Sequence, residues 1–175
     1  MTAEIRAYIL DIESTIKKLE NLGAEFKGDY AFTDYIYKLK DDSKKIDLNN
    51  EFMRIREYEK SQWTHKKYVL VHKLTRWKDG NRFIFVPLKK EFDKKQDAEK
   101  EISNSYELNF KFHKHGFEYW FKSLKIHVEE IEYLEPTIEV TAEDKESIDN
   151  LFKKLDVSET IFKSVPKLIE EKLNK

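Results

Sequence analysis

The chain has 175 residues, of which 39% are hydrophobic and 38% charged, and it carries twelve Phe, nine Tyr and three Trp. That aromatic content excludes a disordered chain, and a formal net charge of only −1 excludes a global field toward nucleic acid or anionic membrane. With no cysteine at all, disulfide frameworks, thiolate zinc sites and cysteine nucleophiles are excluded as well.

The length suits a single domain over residues 1–175. No apolar run approaches membrane-spanning length, and Met1-Thr2-Ala3-Glu4 does not read as a signal peptide. A soluble, cytoplasmic protein is expected, with neither nucleic acid nor membrane among its partners. Monomer and homodimer are both compatible with the sequence.

A first strand is predicted over residues 3–9. Leu10-Asp11 then turns into a helix with Ile12, Ile16, Leu19 and Leu22 at helical spacing, ended by Gly23. A second strand covers 30–37, a polar loop 38–50, and strands three and four 51–58 and 67–77. Asp79-Gly80 is a hairpin signal feeding a fifth strand over 81–93, in which Pro87 suggests an edge, a bulge or a gap in pairing.

Residues 95–108 fit a helix with Ala98, Ile102, Ser105 and Tyr106 on one side. Strands six and seven fall at 109–121 and 124–131, and a short eighth at 137–141. Two helices close the chain, over 143–155 and from Ser158 onward, with a break before Pro166 where Ser164 can cap. Eight strands with a few helices predict an α+β fold. Its large antiparallel sheet is expected to close as an eight-stranded barrel, wide enough for side chains or one small ligand.

Charged residues recur at spacing two inside these strands, with apolar residues on the other phase. Glu4-x-Arg6 flanks Ile5, Arg54-x-Arg56 flanks Ile55, and Lys89-x-Glu91-x-Asp93 includes Phe92. Alternate strand residues share a face, so each set lies on one side of the sheet. Arg54 and Arg56 can each fork onto phosphate oxygens, and Lys73 follows the apolar run Tyr68-Val69-Leu70-Val71. Carboxylates beside basic residues, as in Lys89-x-Glu91-x-Asp93, suit Mg²⁺ or Mn²⁺ held together with substrate phosphates. A solvated sheet face or a charge-protected edge strand would carry the same residues.

Lys111, His113 and His115 share a further face. A His-x-His pair can ligate a transition metal, although no third ligand stands at a telling spacing. Acids cluster again in His127-Val128-Glu129-Glu130-Ile131-Glu132 and Ile138-Glu139-Val140. One residue of register decides whether Glu129 or Glu130 points inward. No glycine-rich phosphate loop, dinucleotide fingerprint or helical metalloprotease motif occurs, so side chains would have to hold any phosphate.

In their order, these segments resemble a CYTH domain, the family named for class IV adenylate cyclase and thiamine triphosphatase and also called the triphosphate tunnel metalloenzymes. The resemblance covers about residues 3–164. It rests on Thr2-Ala3-Glu4-Ile5-Arg6 in place of an opening Glu-x-Glu-x-Lys, on "LGAEF" (22–26), "TDYIY" (33–37), "RIR" (54–56), Lys73, "KKEFD" (89–93) and "VEEIEYLEPTIEV" (128–140). The resemblance implies a barrel that binds a triphosphate-containing small molecule together with Mg²⁺ or Mn²⁺. The expected phosphate-binding residues are Arg6, Arg54, Arg56, Lys73, Lys89 and Lys111. The expected metal ligands are Glu4, Glu91, Asp93, Glu130 and Glu139, with Glu129 as the alternative to Glu130.

No catalytic nucleophile or base is singled out. The implied activity is metal-dependent hydrolysis of inorganic, thiamine or nucleoside triphosphate; the alternatives are a non-catalytic polyphosphate- or organophosphate-binding module and ATP cyclisation. Two departures bear on that choice. Thr2 replaces the first acid of the opening motif and Thr141 the second acid of the closing Glu-x-Glu. Gly116 also falls where an arginine is expected.

Overall fold

The computed structural model describes residues 2–79 and 81–175, with only the backbone of Asn81. Gly80 of the predicted hairpin signal therefore lies outside the described residues, while Asp79 before it adopts φ +52°, as a tight turn requires. Among the described residues no helix is long and apolar enough to cross a membrane.

The elements follow the order β1 (Ala3–Tyr8), α1 (Ile12–Asn21), β2 (Glu25–Leu39), β3 (Glu51–Lys60), β4 (Tyr68–Lys78), β5 (Asn81–Phe92), α2 (Lys95–Ile102), β6 (Tyr106–Phe121), β7 (Leu124–Ile131), β8 (Thr137–Ala142), α3 (Lys145–Lys154), β9 (Thr160–Ile161) and α4 (Val165–Leu173). Strand pairing runs β5-β4-β3-β2-β6-β7-β8-β1-β9, and β5 also pairs β1 at Glu4 opposite Arg82. Eight strands therefore form a closed cycle of antiparallel pairings, accompanied by four helices, and the expected α+β class holds.

Two local differences from expectation have clear causes. The helix predicted over 95–108 ends at Ile102, because Ser103-Asn104-Ser105 forms a turn closed by Ser105 N–H donating to the Ile102 carbonyl (3.1 Å). Tyr106 then packs as a strand residue. The helix expected from Ser158 is preceded by β9, whose Thr160 and Ile161 pair with Ala7 and Arg6 of β1. Helix α4 starts only after Ser164, whose hydroxyl accepts from Lys167 N–H (3.2 Å), with Pro166 in the first turn.

Backbone proximity divides the chain into two compact units. Unit 1 comprises the residues up to Asp29 together with Trp77–Phe83 and His115–Phe162. Its core is built on strict alternation: Ala3, Ile5 and Ala7 of β1, Ile126 and Val128 of β7, and Ile138, Val140 and Ala142 of β8 all turn to one face. Leu19 of α1 and Ile148, Leu151 and Phe152 of α3 cover that face. The α1 start is capped by the Asp11 carboxylate, which accepts from Ser14 N–H (2.7 Å). Its end is a Schellman closure, with Gly23 at φ +88° and Ala24 N–H donating to the Leu19 carbonyl (3.0 Å).

Unit 2 comprises Tyr30–Arg76, Ile84–Lys114 and Lys163–Lys175. Here Tyr37, Met53, Ile55 and Leu70 form a core with Ala98 and Ile102 of α2, and Tyr35, Tyr68, Leu88, Phe92 and Tyr106 pack around it. Each unit thus presents one apolar sheet face to helices. The alternate residues, including most of the charges singled out above, occupy the other face.

Candidate functional site

In unit 2 the face opposite the α2 core carries a cationic cluster. The β2–β3 register sets Asp34 opposite Arg56 and Ile36 opposite Arg54, while β3–β4 sets Arg56 opposite Val69 and Arg54 opposite Val71. Arg56 forks onto Asp34, with Nε donating to Oδ1 (2.7 Å) and Nη2 to Oδ2 (2.8 Å), and its guanidinium lies 3.5 Å from the centre of the Phe32 ring. Arg54 reaches the same carboxylate only at 3.8 Å, and its buried Nε has no hydrogen-bond partner. Lys114, itself buried, places Nζ 5.4 Å from the Phe32 ring and acts on Asp34 through its charge.

The electrostatics follow from that imbalance. Burial alone would push the Asp34 carboxyl up, but the charges of Arg56, Arg54 and Lys114 and the Arg56 hydrogen bond hold it below its ordinary value. Burial and the neighbouring Arg56 charge push Arg54 down to about 10, against the weaker support of Asp34. Arg56 stays above its ordinary value because Asp34 outweighs its burial. Asp34 is thus shared by Arg56 and Arg54, and Arg54 is the more loosely held of the two. A cluster of this kind attracts an anion, and guanidinium forks suit phosphate oxygens.

Unit 1 carries a different cluster on the face opposite its core. The register aligns Arg6 with Glu139 and His127, Tyr8 with Thr137 and Glu129, and Glu4 with Thr141 and Lys125. Arg6 is 4% exposed. Its Nη1 donates to Glu129 Oε1 and Thr137 Oγ1, both at 2.7 Å, and its Nη2 to Glu139 Oε2 at 2.6 Å. Arg82, 6% exposed, donates from Nη2 to the same Glu139 oxygen at 2.6 Å and also pairs with Glu4. His127 lies 3.1 Å from Glu118 Oε2 and 3.9 Å from Glu139 Oε1. Burial lowers its ring pKa, but hydrogen bonding to Glu139 and the charges of Glu129 and Glu139 win, and the net shift is upward.

The structure distributes the expected residues unevenly. It brings Arg54 and Arg56 together in unit 2, and Glu4, Arg6 and Glu139 together in unit 1. Glu129 is buried on Arg6, whereas Glu130 is exposed on the other phase of β7. Lys73 stands opposite Phe52 on β4, with Nζ 5.7 Å from that ring. Lys89, Glu91 and Asp93 are exposed. Glu91 accepts from Thr64 Oγ1 (3.3 Å) and Asp93 pairs with Lys66 (2.8 Å).

Lys111 is exposed, with Nζ 5.9 Å from the ring of Tyr35, a residue of the α2 face. Lys114 takes the charged position on the opposite phase of β6. His113 and His115 each face a separate carboxylate, Glu59 (3.2 Å) and Asp29 (3.4 Å). Among the described residues, no group of three His, Asp or Glu side chains is arranged to hold a metal ion.

Sequence reasoning did not single out Asp34, Lys114, Arg82, Glu118 or His127. Asp34 was signalled by its alternation with Tyr35 and Tyr37 inside a strand otherwise rich in apolar and aromatic residues. Arg82 had no such signal, because it follows a turn and no second charge repeats at spacing two behind it.

No family model matches the chain, and no curated protein does. Solved structures do match it over nearly its whole length. The PH1819 protein from Pyrococcus horikoshii OT3 aligns with a TM-score of 0.76 at 19% identity, covering 98% of this chain and 99% of its own. The candidate adenylyl cyclase HpAC1 from Hippeastrum, described by its dominant triphosphatase activity, aligns with a TM-score of 0.67 at 14% identity over 100% of this chain and 97% of its own. A candidate adenylate cyclase from Vibrio parahaemolyticus aligns with a TM-score of 0.67 at 11% identity, covering 99% and 98%. The chain has the fold of the CYTH, or triphosphate tunnel, proteins.

Proposed function

We propose that this chain binds a triphosphate-containing small molecule, with Arg54, Arg56 and Lys114 of unit 2 contacting phosphate oxygens and Lys73 contributing charge. The observation that carries this reading is the position of Arg54, buried yet only 3.8 Å from a carboxylate whose two oxygens already accept from Arg56. Burying a cation without a full set of counter-charges is unfavourable. An anion that supplies the missing acceptors stabilises the folded chain. The candidate cyclases and the triphosphatase activity described for fold neighbours point to the same ligand class.

Metal-dependent hydrolysis with Mg²⁺ or Mn²⁺ is the second reading. It is favoured by one observation: Glu4 and Glu139, two of the expected metal carboxylates, converge on a single guanidinium, that of Arg82. The donor type is right for a hard divalent cation. As the residues stand, however, every carboxylate of the cluster is already engaged by arginine or histidine, so the set does not fit a metal without rearrangement.

Phosphorus NMR of the protein with tripolyphosphate and ATP, with and without Mg²⁺ or Mn²⁺, separates the readings. The binding reading predicts broadened or shifted phosphate resonances without products. Orthophosphate formed only with metal would establish hydrolysis, and pyrophosphate with cyclic AMP would establish cyclisation. Unchanged spectra in all conditions would overturn the proposal.

A further inference from the structure

Unit 1 holds two buried arginines among the carboxylates to which the sequence resemblance assigns a divalent cation. We propose that Arg82, together with Arg6, occupies the cation position among Glu4, Glu129 and Glu139, so that this chain takes up no Mg²⁺ or Mn²⁺ there and binds its anion without a metal. The second half rests on the triphosphate-binding reading; the first half does not.

The geometry is specific. Oε2 of Glu139 accepts from both guanidiniums, at 2.6 Å from Arg6 Nη2 and 2.6 Å from Arg82 Nη2. Arg82 links that oxygen to Glu4, and Arg6 links it to Glu129. A metal ion needs those lone pairs directed at itself, so it would have to displace both arginines from the shared oxygen. Displacement would leave two guanidiniums, 4% and 6% exposed, buried with reduced counter-charge. Two fixed positive charges against three carboxylates also leave little net negative charge for a dication, whose binding to protein oxygens depends on it.

The neighbouring positions do not restore that charge. Thr141 lies opposite Glu4 across β1 and β8 and presents a hydroxyl, and Thr2 is exposed ahead of β1. Glu118, the remaining buried acid of this cluster, is engaged by His127 (3.1 Å) and Trp120 Nε1 (3.1 Å). The arginines are thus permanent, sequence-encoded counter-ions for carboxylates that would otherwise require a metal.

The test is Mn²⁺ binding to the full chain followed by electron paramagnetic resonance, in the absence of any phosphate. The wild-type protein is expected to leave the free Mn²⁺ signal undiminished. Arg82→Met, which frees Glu4 and one donor contact of Glu139, is expected to gain an Mn²⁺ site. Wild-type Mn²⁺ uptake that disappears in Glu139→Gln would overturn the proposal, and so would a folded Arg82→Met that gains no site.

Should Arg82→Met fail to fold, calorimetry of wild-type protein with tripolyphosphate in EDTA and in Mg²⁺ decides. Affinity equal or higher in EDTA is expected, and a rise of about tenfold with Mg²⁺, the behaviour of metal-bridged phosphate, would contradict it. If tripolyphosphate binds in neither buffer, the triphosphate-binding reading falls while the Mn²⁺ result still decides the arginine assignment.

Discussion

The two units solve the same problem differently. Each has an antiparallel sheet with one face buried under helices and charged side chains on the other. In unit 1 the charges close on each other: Arg6 and Arg82 engage Glu4, Glu129 and Glu139, and His127 engages Glu118. In unit 2 Arg56 takes both oxygens of Asp34, and Arg54 reaches that carboxylate only at 3.8 Å. A closed buried network acts as structure, since removing any member strands the rest. An open network is poised to take a ligand. The difference lies in the strand register, which sets Arg6 opposite Glu139 but Arg54 opposite Ile36 and Val71.

Breaking the closed network of unit 1 should cost the most stability. Arg6→Met should destabilise the fold by about 3–5 kcal/mol in urea unfolding, because Glu129 and Glu139 lose a buried partner. A change under about 1 kcal/mol would show that the network is not held as described. Asp34→Asn should cost somewhat less, about 2–4 kcal/mol, by removing the carboxylate onto which Arg56 forks. In contrast to Arg6→Met, that loss should be partly recovered by adding tripolyphosphate, read as a larger rise in Tm than the wild type shows.

The pH dependence sharpens the same contrast. Asp34 is held below its unfolded value near 3.9, so it contributes stability that is fully present above that value. That contribution is lost as pH falls through the lower folded pKa. Acid unfolding should therefore weaken in steepness below about pH 4 in Asp34→Asn relative to wild type. Identical acid limbs would contradict the direction assigned to Asp34.

The smallest effect serves as a control outside both clusters. Asp156 closes α3 at φ +56°, with Val157 N–H donating to the Phe152 carbonyl (2.9 Å). Asp156→Gly should stabilise by about 0.5–1 kcal/mol without altering anion binding.

Most of the strand and helix pattern was legible because the alternation of Ala3, Ile5 and Ala7, and of Ile126 and Val128, is unbroken. The pairing of Arg54 with Arg56 on one face was legible for the same reason. Where both phases of a strand carry charge, alternation stops being informative. In Lys111-Phe112-His113-Lys114-His115 the inward residue proved to be Lys114, because Phe112 and Lys114 share the buried phase. Glu129 and Glu130 posed the same ambiguity, resolved by the β7–β8 register that sets His127 opposite Glu139 and Glu129 opposite Thr137. Arg82 was illegible for another reason. Its role depends on β5 pairing with β1, a contact between segments distant in sequence that no local pattern encodes.

Whether Arg54 and Arg56 of unit 2 form an anion site is decided by calorimetric titration of tripolyphosphate into wild-type and Arg54→Gln protein in EDTA. Arg54 is the variant to use because Asp34 keeps its Arg56 fork, so the fold should persist. Saturable binding of one tripolyphosphate per chain, weakened about tenfold in Arg54→Gln by the loss of one charge-assisted contact, is the result predicted. Absence of binding to the wild type, or equal affinity in the two proteins, would contradict it.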